Sequence, residues 1–416
     1  MIKRFFVLTA ALAVLFMAGC SKKEEGGSAA GTDGKIKIEF YQQKRETVEI
    51  VDKIIAEFMA QNPNITVEQN NVPDAATILK TRIAANDAPD VFSGWHNADA
   101  RLLIDEGYVK DLTGEAVMGR VEDQFKDFIR YKGKEWSVPI SINFVGVFYN
   151  KDYFEQNNLS IPQTRAEFYA LCDAIKKLGG QPLQVTDKEQ WTIGHGNTIV
   201  AENMYDPALI MDVIHGDKSV KDIPGFTDYA DWLERSRKNW TQTDYLGTAY
   251  EAGLGDFANG KGAMLFQGNW IIPVLTKANP NFNYGVFPFP AAKAEDTKVH
   301  WGIDHVIMLR ADPRSAAHED AAGKFVDFFF NRGVQIWADL DGSVSCIKGV
   351  KSGLPQYQPI TDMIQAGRTY SGWFTDDWPA GCYDQYNIVQ QNFLTGFNKE
   401  AFYKEMDAEL KNYKGM

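Results

Sequence analysis

One segment of this chain has the glycine spacing of a phosphate site. Residues 255–270 read GDFANGKGAMLFQGNW and open on G-x-x-x-x-G-K. A phosphate loop needs Ser or Thr next, whose hydroxyl ligates magnesium; Gly262 stands there instead. A phosphate loop also leaves a strand and opens a helix, so that helix-start N–H groups face the anion. Here the order is reversed. Thr248 and Glu251 have capping-box spacing for a helix over 249–258 ahead of the glycines, and the short apolar run 263–266 reads as a strand after them. The meaning of the segment is then to be sought at Trp270, where it ends.

Other groupings point to other chemistries. His300, Asp304 and His305 have the residue types of a metal site, but on one strand through WGIDHVIML the two histidines face opposite sides, so no metal is expected. Asp376 and Asp377 among aromatics would suit a cationic ligand, a polyamine or amino sugar, by carboxylate and cation–π contacts. An anchored glycoside hydrolase would need paired carboxylates in an aromatic cleft. Acids are too common here for counting to decide that, and neither G-x-S-x-G nor H-E-x-x-H occurs. The chain has ten Trp, seventeen Tyr and twenty-six Phe, and tryptophans recur in WH, NW, HW, GW and DW pairs. An indole beside a hydrogen-bonding neighbour or a glycine suits a half-wet cleft.

The first residues bear on the compartment. Lys3 and Arg4 precede an apolar run over 5–17, too short for an ordinary membrane span, then small residues and Cys20. Residues 21–34, SKKEEGGSAAGTDG, contain no aromatic or branched apolar side chain and read as a tether. The formal charge of −12 argues against nucleic acid or an anionic membrane face as partner. Beyond Cys20 only Cys172, Cys346 and Cys382 remain, an odd and sparse set. Buried free thiols are expected, with a Cys346–Cys382 bridge as the alternative.

The positioning elements alternate. A strand over 35–41 (IKIEFY) leads to a helix with Val51, Ile54, Ile55, Phe58 and Met59 on one side, stopped at Asn62–Pro63. A strand at 65–68, a helix capped by Asp74 running to Ala85, and a buried strand over 90–93 follow. Residues 134–149 are extended and broken by Pro139; helices are expected over 165–178, opened by Thr164 and Glu167, over 227–240, and over 315–331. Such alternation gives mostly parallel sheets covered on both faces, with ligands beyond the strand ends, near Gln42, Gln43 and Lys44 and near Trp95 and His96.

Several motifs in order resemble the sugar-binding group of extracellular solute-binding proteins of ABC importers, which includes maltose-binding protein. They are IKIEFY, NPNITVE, AANDAPDVFSGW, the stretch from KGKEWSVPISINFVGVFYNKDYFEQNNLSIPQTRAEFYALCDAIKKLG, then FANGKGAMLFQGNW, NYGVFPFP and the long helix before DGSVSCIKG. Arg165 departs from the family's usual Trp in its P-x-T-W-x-E segment. The resemblance covers nearly all of the chain past the tether. It implies an α/β, two-lobed periplasmic-binding-protein fold of type II, each lobe a mixed, mostly parallel sheet flanked by helices, with the ligand in the cleft between them. The apolar run and the small–Gly–Cys junction after it resemble a bacterial lipoprotein signal over 1–19, with lipid on Cys20 and a tether over 20–34; a plain secretory signal with an incidental cysteine is the alternative. Residues 35–142 with 286–340 form the first lobe, and 143–285 with 341–416 the second. The implied function is capture of a mono- or oligosaccharide by hinge closure and delivery to the permease subunits, with no catalysis, no cofactor, and a monomer held at the envelope by its lipid. The resemblance also implies a tight turn at Gly260 and Gly262 ahead of Trp270, and Trp270, Trp95, Trp301 and Trp373, in that order, are the candidate platforms for sugar rings. Asn143 matches a polar family position at the entry to the second lobe. Gln43, Glu46, Asp304, Asp376 and Asp377 are polar rim candidates, with His96 beside them and Gln42 and Lys44 ranked lower. Asp90 is expected to fix its loop rather than touch ligand.

Overall fold

The computed structural model describes residues 34–415 apart from 371, 372, 374, 376 and 377. The leader, Cys20, the tether up to residue 33, and the candidates Asp376 and Asp377 lie outside the described residues. In chain order the strands are β1 (Ile36–Tyr41), β2 (Ile65–Asn70), β3 (Val91–Gly94), β4 (Arg130–Tyr131), β5 (Lys134–Glu135), β6 (Val138–Pro139), β7 (Ser141–Asn150), β8 (Leu183–Gln184), β9 (Met264–Gly268), β10 (Tyr284–Phe287), β11 (His300–Ile303), β12 (Val306–Leu309) and β13 (Val344–Ser345).

Two sheets divide the molecule. The first runs β2-β1-β3-β12-β6. In it β1 is parallel to β2 and β3, because each connection carries a crossover helix. The helix Val48–Gln61 buries Val51, Ile54, Ile55 and Phe58, as its apolar spacing requires. The second runs β10-β7-β9-β8, with β11 and β13 also on β7. This sheet departs from the mostly parallel expectation: only β8 and β9 are parallel, and β7 is antiparallel to β9, β10, β11 and β13. The cause is that the chain repeatedly returns along the single long strand β7.

The chain passes between the sheets three times. Ile140 joins β6 to β7, Asp304 and His305 join β11 to β12, and Gly342 and Ser343 lead from the helix Val334–Asp341 to β13. These passages are laced together by backbone bonds: Ile140 N–H to the His305 carbonyl (2.9 Å), Asp304 N–H to Ser141 (2.9 Å) and Cys346 N–H to Ile140 (3.0 Å). WGIDHVIML is therefore two strands in two sheets, not the single strand expected. Strand pairing likewise carries Tyr284–Phe287 and His300–Ile303 on the second sheet, whereas 286–340 was expected with the first.

Local signals fared unevenly. Thr164 caps the helix Arg165–Lys177 through the Glu167 N–H, as expected. Ser315 caps Ala316–Phe328, which continues through a π-turn at Phe329–Gly333. At the helix Tyr250–Ala258 the expected box is absent: Thr248 Oγ1 donates to the Asp244 carbonyl, and Glu189 instead accepts the Tyr250 N–H. Asp74 precedes Ala75–Ala84 with φ of +53° and makes no capping bond. Cys172, Cys346 and Cys382 are buried free thiols, so the bridge alternative falls.

Candidate functional site

The turn that raised the phosphate question places an aromatic on the second sheet. Gly260 takes φ of +81° and closes the turn. Gly262 does not turn the chain; its missing side chain admits Gln184, whose Cβ a β-carbon would meet at 2.8 Å. After β9, Asn269 accepts the Phe144 N–H at 2.9 Å, tying the end of the strand to β7. Trp270 follows, and its indole folds back over Gly268.

Register fixes what stands beside it. Across the β7–β9 pairing Val145 faces Gly268, and across β7–β11 Asn143 faces Gly302. Cross-strand partners share a face, as do residues two apart. Gly268 lies under Trp270, and a β-carbon on Gly302 would meet Trp373 Nε1 at 2.5 Å. Asn143 is thus on the same face as both indoles, whose ring centres are 6.3 Å apart. Its side chain is fully buried, and neither its amide nitrogen nor its amide oxygen has a hydrogen-bond partner. The Trp270 Nε1–H is also without one. Buried polar groups are nearly always paired, so these three unpaired atoms mark this face as a candidate site.

Two histidines complete the cluster. His195 lies 5.0 Å from Trp270, 6.0 Å from Trp373 and 5.9 Å from Tyr383, ring centre to ring centre. Desolvation among these rings, with His300 nearby, lowers its pKa to about 3, so it is neutral. His300 Nδ1 is 2.7 Å from Glu202 Oε1, and its ring lies 4.4 Å from that of Trp373, tilted by 54°. Burial raises the Glu202 carboxyl above its usual range, against the pull of His300. Trp373 Nε1–H donates to the Ile303 carbonyl at 2.9 Å, which anchors the indole at the passage between the sheets.

The first sheet carries a second group, beyond the ends of β1 and β3. Trp95 is 40% exposed and sits edge-on to His305 at 5.0 Å. Gln43 donates from Nε2 to the Ser93 carbonyl at 2.7 Å, which sets its amide beside Gly94. Gln42 is buried between Thr47 and Ser93. His96 is buried beside Ser137 (Nδ1 to Oγ 3.4 Å), its Nε2 unpaired; burial, then Arg101, lowers its pKa to about 4. Glu46 is half-buried, and burial raises its pKa against the attraction of Lys44. Asp90 accepts the Glu39 N–H and faces Arg314, as the loop-fixing expectation requires.

Two candidates are elsewhere. Asp304 is bound by the Lys44 ammonium at 2.6 Å, both side chains buried, with Asp341 at 3.7 Å from the same nitrogen. It joins two of the three passages rather than a polar rim, because an unpaired carboxylate could not remain buried there. Trp301 points away from His300 and Gly302 by strand alternation and packs edge-on to Phe125 (6.2 Å) and Phe128 (5.3 Å). Sequence reasoning missed His195. Its signal was G-H-G inside a helix, where glycine costs about 1 kcal/mol unless something needs the space. A β-carbon on Gly194 would collide with the Tyr383 hydroxyl and with the Asn387 amide.

Residues 44–336 match the family described as bacterial extracellular solute-binding protein. The chain belongs to that family. The multiple sugar-binding protein of Streptococcus mutans is 29% identical to this binding protein over 423 residues, covering 96% of each chain. Among solved structures, a raffinose complex of the solute-binding protein RafE is 25% identical, with a TM-score of 0.83, over 92% of this chain and all of that one. The apo form of RafE from Streptococcus pneumoniae, at the same identity and coverage, gives a TM-score of 0.74. The binding protein shares the two-lobed architecture of these neighbours. Among its described residues no helix is long and apolar enough to cross a membrane.

Proposed function

We propose that this binding protein captures a carbohydrate between its lobes and presents it to the membrane subunits of an ABC importer. The unpaired Asn143 amide on the same sheet face as two indoles carries this reading. A pyranose has weakly apolar C–H faces that match an aromatic face, and a rim of hydroxyls that both donate and accept. Asn143 offers one donor group and one acceptor, and Trp270 Nε1 a further donor, in a place closed to water. Trp270 and Trp373 are the platforms, and Trp95, with Gln43, Glu46 and His96, is the opposing jaw. The sugar-binding name of the streptococcal relative and the raffinose in the RafE complex support the ligand class.

The higher TM-score to the raffinose complex than to the apo form supports reading this arrangement as the closed one. Closure gives the ligand contacts on both lobes, which shifts the population toward that state. The protein itself does no chemistry. We place the first lobe at 35–140 with 304–342 and the second at 141–303 with 343–416, following the strand pairing. Export by the leader, lipid on Cys20 and a monomer on a tether complete the proposal; Cys20→Ser should release the protein from the membrane fraction. A cationic ligand has less support. Among the described residues Glu202 at this wall is already engaged by His300, and Glu46 on the opposing jaw has the Lys44 charge beside it.

The test is a thermal-shift screen of mono- and oligosaccharides, followed by calorimetry on the hits. A micromolar sugar, about −8 kcal/mol, recovered chemically unchanged, is the expected result. A shift with polyamines and none with any sugar would overturn it.

A further inference from the structure

Arg45 lies just beyond β1, in the turn Arg45–Thr47 on the first lobe. It is an exposed residue with no ion pair among the described residues. Its guanidinium carbon nevertheless sits 4.8 Å from the ring centre of Tyr250 and 5.8 Å from that of Trp191. Both rings belong to the other lobe. Trp191 is on the helix Gln190–Glu202, packed on β9, and Tyr250 opens the helix Tyr250–Ala258, packed on β8. The two rings meet edge to face at 4.6 Å, and the Tyr250 N–H is held by Glu189 at 2.9 Å. A delocalised cation over such a pair is attracted to the electron-rich ring faces.

The rings under Arg45 also run on to the candidate sugar site. Trp191 is 5.9 Å from His195, and His195 is 5.0 Å from Trp270. We propose that Arg45 is the latch of the closed state, a cation–π clasp that forms when the lobes meet and whose aromatic half is held by the ring cluster that receives the sugar. This rests on the closed-form reading above and adds a residue that sets how long the cleft stays shut. A contact made only after the lobes meet slows release and leaves capture unchanged. The exposed Glu49–Lys277 pair spans the same gap at 2.5 Å but stands in open water, where ion pairs contribute little.

The chain from residue 21 onward, with cysteines placed at the exposed Lys53 and Lys261 for distance labels, supplies the test. Without ligand, Arg45→Ala is expected to shift the inter-label distances toward the open form, and Trp191→Leu to do the same. With a sugar from the screen, both raise the release rate about two- to fivefold and leave the association rate unchanged. Glu49→Gln leaves both quantities as they are. Unchanged distances and release in Arg45→Ala overturn the latch. So does a fall in association rate, which would make Arg45 a ligand contact or a steering charge. If no sugar binds, the carbohydrate reading fails by itself, and the ligand-free distances still decide the latch.

Discussion

The Trp270 indole lies directly over the α-carbon of Gly268, close enough that a β-carbon there would overlap ring atoms Cζ3, Cε3 and Cη2. Gly268 has extended backbone angles, φ −90° and ψ 165°, which alanine adopts without strain. Gly268→Ala should therefore displace the ring rather than the chain. The expected outcome is at least a tenfold loss of sugar affinity, about 1.4 kcal/mol, with a shift in tryptophan fluorescence and little change in Tm. Affinity within twofold of the parent would remove Trp270 from the site.

Asn143 offers the converse trade. A buried amide without partners costs roughly 1–3 kcal/mol in the ligand-free protein. Asn143→Leu removes that penalty at similar volume. Urea denaturation should show equal or higher stability, while calorimetry shows at least a tenfold weaker sugar complex. Lost stability with intact affinity would mean that Asn143 supports the core only.

Two desolvated histidines set an acid limit. His96 and His195 have pKa values lowered from 6.5 to about 4 and about 3. Below pH 6.5 the unfolded chain takes up protons that the native state refuses, so stability falls as pH falls. The slope is at most about 1.4 kcal/mol per pH unit for each histidine, running from 6.5 down to about 4, and above 6.5 these groups add none. Urea midpoints at pH 7.5, 6 and 5 measure this, and His195→Asn should flatten the curve. An equal slope in that variant would refute the assignment.

Lys44 holds two passages at once. Lys44→Met would leave Asp304 and Asp341 as buried carboxylates without a cation, at a cost of about 3–5 kcal/mol. Adding Asp304→Asn should restore part of that stability, a coupling readable in a double-mutant cycle. Simple additivity would show that the pair is not energetically joined.

Some signals in the sequence had only one physical solution. Apolar spacing placed the helix over Val48–Gln61, and Thr164 placed the start of Arg165–Lys177. The parallel direction of the strands through residue 94 followed from strand–helix alternation, although their order did not. The phosphate loop was excludable because Gly262 has no hydroxyl. Tryptophan beside a polar neighbour was a weaker guide. Trp95 is half in water, but Trp232 and Trp240, in the same DW and NW pairs, are fully buried. Trp240 reaches Asp173 with its N–H, so an indole can satisfy its polar atom inside the core.

The sequence by itself determined the family, the segments that become helices and strands, and Trp270 and Asn143 as places to look, because these depend on residues near one another in the chain. It could not decide that Asp304 belongs to Lys44, 260 residues away, or that Trp301 turns from the indole cluster while Trp373 joins it. Nor could it show His195 under Trp270 or Arg45 over Tyr250. Those facts depend on which face each strand presents and on how two sheets meet across three passages, and pairing over such separations is settled only when the whole chain is folded.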